Sequence, residues 1–151
     1  VGPLEFTPAG QPISMVDIYN PDLKAFPKFN DAMGFGQSAD LLPGDAIFIP
    51  SLWWHQVESF GELNVLINYW WRSVPSFMGN PMDALMHSIL SIRDLPDHQK
   101  INWVNMFNYY VFNYNNKNFS HVPEDISGAL GQIDHDSSKK IRALLLSNLN
   151  R

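Results

Sequence analysis

The run Trp53-Trp54-His55-Gln56-Val57-Glu58 sets one imidazole and one carboxylate within reach of the same short segment. On an extended backbone side chains alternate, so Trp53, His55 and Val57 share one face and Trp54, Gln56 and Glu58 the other. In the next run, Leu63 to Trp71, the common face carries Asn64, Leu66, Asn68 and Trp70. A histidine in this setting has two readings: a hydrogen-bonded core or rim residue beside the tryptophans, or a metal ligand. A non-haem iron centre needs two imidazoles and one carboxylate on one side of the ion. The remaining histidines, His87, His98, His121 and His135, fall in a stretch of helical character, and no His-x-Asp or His-x-Glu spacing occurs. Asp45 and Glu58 are the candidate carboxylates. Asp45 follows Pro43-Gly44 and is expected to bond its own turn, whereas Glu58 points away from His55. Asn68 reads as an amide bonded to nearby backbone, Trp70 as packing, and His135-Asp136 as a helix cap.

The elements that must position these groups follow from pattern. Pro43-Gly44-Asp45 has the residues of a tight turn, with Pro presetting one φ and Gly accepting a positive one. Ala46 to Ile49 is a short apolar run that Pro50 ends. Strands are therefore expected at about 46–49, 53–58 and 63–71, antiparallel because the connections are too short for crossovers. Before them, Pro3, Pro8, Pro12, Pro21 and Pro27 allow only short elements. These are a brief strand at Ile13 to Ile18 and one helical turn at Asp22 to Phe26, capped by Asn20. After Trp71 the period becomes 3.6. Asn80-Pro81 predicts a helix start, and Met82, Leu85, Met86, Ile89 and Leu90 give its apolar stripe. A second helix is expected from Asp97 to about Tyr110 or Asn113, with apolar residues nearly all round. A short helix after Pro123 and a last one from about Asp136 to Leu149 complete the order of strands first, helices last.

The spaced set Pro43-Gly44-Asp45, Ile49-Pro50, Trp53-Trp54-His55, Val57-Glu58 and Asn68-Tyr69-Trp70 resembles the cupin-like branch of the JmjC oxygenases. That branch contains the asparaginyl hydroxylase that inhibits the hypoxia-inducible factor. Val16-Asp17, Asn20-Pro21-Asp22 and Phe26-Pro27-Lys28-Phe29 are similar to the same family's approach to this turn, while Gln11 to Met15 departs from it. The resemblance implies a mainly β fold with C-terminal α: the second half of a double-stranded β-helix over residues 1–75, then an all-helical dimerisation region over 76–151. It implies Fe(II) and 2-oxoglutarate as cofactor and cosubstrate, and O₂-dependent hydroxylation coupled to decarboxylation of 2-oxoglutarate. His55 would be the distal iron ligand, Val57 would pack against 2-oxoglutarate, Asn68 would approach the cosubstrate, and Trp70 would wall the substrate pocket. The family's other two ligands come from an H-x-D/E motif, and its cosubstrate lysine from earlier strands. Neither occurs here, so the chain reads as the C-terminal part of a longer enzyme, inactive alone. The family's C-terminal helices interlock a homodimer. The alternatives are a non-catalytic cupin-fold binding or dimerisation module lacking the triad, and a non-oxygenase cupin, which would place more histidines on its strands.

Composition bounds the rest. The chain has 151 residues, 45% hydrophobic and 17% charged, as in a globular protein with a core. A formal charge of −5 argues against general nucleic-acid binding. Without cysteine there is no disulfide framework or thiolate metal site. No apolar run has membrane length and no leader pattern is seen, so a cytoplasmic address is expected. The substrate, whether protein side chain, nucleobase or small molecule, is not encoded in these patterns.

Overall fold

The computed structural model describes residues 11–150. The chain divides into two units, Val1–Tyr69 and Trp70–Arg151.

In the first unit, short polar side chains organise the backbone. Asp17 Oδ1 accepts the N–H groups of Tyr19 at 2.9 Å and Asn20 at 3.3 Å, an Asx turn. Asp22 Oδ1 accepts from Lys24 at 2.9 Å and Ala25 at 3.1 Å, and the Phe26 N–H closes on the Asp22 carbonyl at 2.8 Å. The expected helical turn is present, but Asp22 caps it rather than Asn20. A short helix, α1, spans Phe29–Met33. At the Pro43-Gly44 turn, Gly44 takes φ +97°, and the Asp45 N–H reaches the Leu42 carbonyl at 2.9 Å. The Asp45 carboxylate accepts the Leu42 N–H at 2.9 Å, so it bonds its own turn.

The expected barrel strands are not there. Among the described residues no strand is present, and 13–18, 46–49, 53–58 and 63–71 are irregular chain punctuated by turns. This overturns the reading of residues 1–75 as half of a double-stranded β-helix. Alternation assigns faces, but a strand exists only where a neighbouring ladder completes its backbone bonds. Here the connections turn locally instead: Trp53 N–H closes on the Pro50 carbonyl at 3.2 Å, and Asn64 Nδ2 donates to the Gly61 carbonyl at 3.1 Å.

The second unit is helical. Helix α2, Pro81–Ile92, starts at Asn80, whose side chain accepts the Met82 N–H at 3.1 Å, with Pro81 at the first position. Helix α3, Asp97–Phe107, begins after Pro96 and continues into a π-helical turn, Asn108–Phe112. The wider winding spreads Tyr109 and Tyr110 so that both meet Phe119, at ring-centre distances of 5.5 and 6.0 Å. Tyr114 stacks on the same ring at 5.6 Å, and its hydroxyl donates to the Leu130 carbonyl at 2.7 Å. After Pro123 the expected short helix is replaced by two 3₁₀ turns, Glu124–Ile126 and Gly128–Leu130. Helix α4, His135–Leu149, is opened by Asp134 in a reciprocal capping box with Ser137, so His135 is its first residue and not its cap. Among the described residues no helix is long and apolar enough to cross a membrane.

Among the described residues neither unit buries an apolar core. Among the described residues no hydrophobic side chain is buried, and Ser138, 7% exposed, is the buried polar one. What order there is comes from caps, turns and helices.

The Asp134 cap carries a pH signature. The Ser137 backbone N–H, the Ser137 hydroxyl and the Asp136 N–H hold its carboxyl below the ordinary aspartate value of 3.8. A depressed carboxyl stabilises the folded helix above its unfolded value, and that contribution is lost as pH falls through the lowered one. Far-ultraviolet circular dichroism should therefore show α4 fraying below about pH 4. Asp134→Asn should reduce that pH dependence, because Asn caps without titrating, and Asp134→Ala should lower helix content at every pH.

Candidate functional site

The histidine run is built on a strained turn. Leu52 takes φ +67°, a left-handed conformation that suits glycine and costs a side-chain-bearing residue about 1–2 kcal/mol. Its side chain is 90% exposed, so no packing of its own explains the conformation. The turn carries the chain from Pro50 into Trp53, and the Trp53 carbonyl lies 3.0 Å from His55 Nδ1. A carbonyl only accepts, so Nδ1 must carry the proton. With the proton on Nδ1, Nε2 is the ring nitrogen that can offer a lone pair to a metal.

At the far end of the run, the Tyr19 hydroxyl donates to the Glu58 carboxylate. The hydrogen bond and the negative charge of Glu58 push the Tyr19 phenol above its ordinary value of 10.0, because both favour the protonated form. Val57 and Asn68 lie exposed in this unit, while Trp70, 84% exposed, begins the other. Among the described residues no group of three His, Cys, Asp or Glu side chains comes together to hold a metal ion. The described donors therefore do not make up a metal centre by themselves.

Sequence reasoning passed over Tyr19. It lies between Asp17 and Asn20-Pro21-Asp22, inside a matching stretch, yet nothing in spacing links it to a residue 39 positions away. In the second unit an open apolar groove of about 600 Å³ runs between α2 and the end of α4. Met86, His87, Leu90, Arg93 and Leu149 help to line it, and it includes none of the residues singled out for chemistry.

The family model for the cupin-like domain matches residues 1–77, just over half of the chain. The chain belongs to the cupin-like domain family. The match spans the residues that carried the resemblance to the cupin-like JmjC proteins. Among curated relatives, Lysine-specific demethylase JMJ31 of Arabidopsis thaliana is 42% identical over 67 residues, covering 44% of this chain and 12% of that protein. HSPB1-associated protein 1 of Mus musculus is 33% identical over 95 residues, 61% of this chain and 19% of the relative. tRNA wybutosine-synthesizing protein 5 of Danio rerio is 37% identical over 67 residues, 44% of this chain and 20% of the relative. The chain thus spans a fifth or less of these proteins' lengths. No solved structure matches it.

The Leu52 turn is testable in the full-length protein. Leu52→Gly adopts the same backbone without strain, so its unfolding free energy should stay within about 1 kcal/mol of the parent. Leu52→Pro fixes φ near −65° and should cost about 3 kcal/mol. Chemical denaturation measures both, and equal stabilities would mean that the positive φ is not maintained.

Proposed function

We propose that the chain is part of a JmjC-type hydroxylase that uses Fe(II) and 2-oxoglutarate, and that His55 supplies one of its iron ligands. The observation that supports this best is the His55 Nδ1 bond to the Trp53 carbonyl, which leaves Nε2 available inside a family-matched motif. When bound, the iron would activate O₂, and decarboxylation of 2-oxoglutarate would drive hydroxylation. The chain's own part is to present one imidazole in a fixed tautomer. The two further ligands and the cosubstrate lysine would come from elsewhere in the protein.

Val57 and Asn68 are proposed to face the cosubstrate, and Trp70 to border the substrate. The relatives' names point to a protein lysine in one case and a tRNA in another, so the family permits different substrate classes. A cytoplasmic address, as read from the sequence, is part of the same proposal.

In the full-length enzyme, His55→Ala should reduce Fe(II)-dependent release of CO₂ from 2-oxoglutarate to background, because two remaining ligands hold iron poorly. Turnover at the parent rate would refute the assignment. The residues 1–151 alone should show no tight one-site Fe(II) binding in calorimetry.

We also propose that α3 contributes to a homodimer. Ile101 is 62% exposed and Val104 58% exposed, with Trp103 and Met106 also in water. Apolar surface of this kind favours a self-complementary contact. Light scattering of the full-length protein should report a dimer, and Ile101→Glu or Val104→Glu should split it. A monomer at high micromolar concentration would remove this part of the reading.

A further inference from the structure

We propose that Glu58 is the anchor of the histidine-bearing run rather than a ligand, and that Tyr19 is the positioning residue that holds it. The inference rests on the reading of His55 as a ligand, and it assigns roles to two residues which that reading leaves without one.

The argument begins with reach. The bonds at Leu42–Asp45, Pro50–Trp53, Trp53–His55 and Gly61–Asn64 each close over two or three residues. Bonds of that span set local shape, but they leave the run free to swing relative to distant segments. The bond from Tyr19 to Glu58 joins residues 39 apart and closes a loop that contains the Pro43-Gly44 turn, the Leu52 turn and His55.

Tyr19 is itself presented by a built feature. The Asp17 carboxylate accepts the Tyr19 and Asn20 N–H groups at 2.9 and 3.3 Å, which bends the chain at the tyrosine. The order of support therefore runs from Asp17 to Tyr19 to Glu58, three residues beyond His55. The Trp53 carbonyl selects the imidazole's tautomer, and the Tyr19 bond holds the run in the shape in which that local contact stays closed and the ring is presented.

The same geometry gives Glu58 a structural partner of its own, apart from any metal centre. Its carboxylate already accepts a phenol proton, and the raised phenol value agrees with an engaged pair. That bond occupies Oε2 and ties Glu58 to a distant segment, and whether the second oxygen also serves a metal is decided by Glu58→Gln below.

The experiment uses the full-length protein with Tyr19→Phe, Glu58→Ala, Glu58→Gln and the Tyr19→Phe/Glu58→Ala pair. Glu58→Gln keeps an oxygen that accepts from the phenol, so it should behave like the parent. Tyr19→Phe and Glu58→Ala should each lower Fe(II)-dependent turnover about 10-fold, as expected for a group acting through a ligand. The pair should be no worse than either single variant. Nitrogen NMR of the His55 ring should show one tautomer, with the proton on Nδ1, in the parent and in Glu58→Gln. Tyr19→Phe should shift that signal toward a mixture, which a merely structural bond would not do. If Glu58→Gln loses turnover as completely as His55→Ala, Glu58 is a ligand and the proposal is wrong. Additive melting-temperature losses together with an unchanged His55 spectrum would also overturn it. Should the parent protein lack turnover, the oxygenase reading fails, and the ring spectrum and the melting cycle still decide the Tyr19–Glu58 link.

Discussion

A helix satisfies its backbone N–H and C=O groups within its own segment, whereas an extended segment must find them partners elsewhere. That difference governs this chain. From Pro81 onward the sequence can complete its hydrogen bonds locally, and α2, α3 and α4 form. Between Ala46 and Trp71 it carries the residues of half-buried extended chain, but no ladder closes among the described residues. What orders that stretch instead is a set of short bonds from aspartate, asparagine and backbone carbonyls, with the Tyr19–Glu58 link spanning them.

The missing core follows from the same constraint. Trp53, Trp54, Val57, Leu66 and Ile67 belong on faces that a paired sheet would bring against one another, and here they remain in water. Burial of such side chains is what offsets the conformational entropy of folding, so a segment without it is held by modest, local terms. The described structure accordingly has its firmest order where packing matters least, at helix caps and tight turns.

This explains what could be read from sequence. Asn80-Pro81, Pro43-Gly44-Asp45 and the 3.6-residue stripe from Met82 to Leu90 signal through nearest neighbours, and each produced the element expected. The strands did not form, because alternation in Trp53 to Glu58 fixes which face a side chain would take but not what lies beside it. The shift of the cap from Asn20 to Asp22 is a smaller miss of the same type: two good capping residues stand two apart, and Pro21 between them suits either reading. His55 was identifiable as the group to watch, and its Nδ1 bond could not be foreseen without the Leu52 turn. Tyr19 had no local signal at all.

The aromatic group on the π-helical turn has a consequence in time rather than in space. Tyr109, Tyr110, Tyr114 and Phe119 are close along the chain, so bringing them together closes only a short loop. Loops of about ten residues close in roughly 10–100 ns, faster than a β-hairpin forms. Contacts so cheap in chain entropy are expected to appear early, as soon as the stretch from Tyr109 to Phe119 is free to move. Helix α3 is then expected to gain its C-terminal boundary early in folding. The helical unit therefore has its own starting point for folding and does not wait for the segment that carries His55.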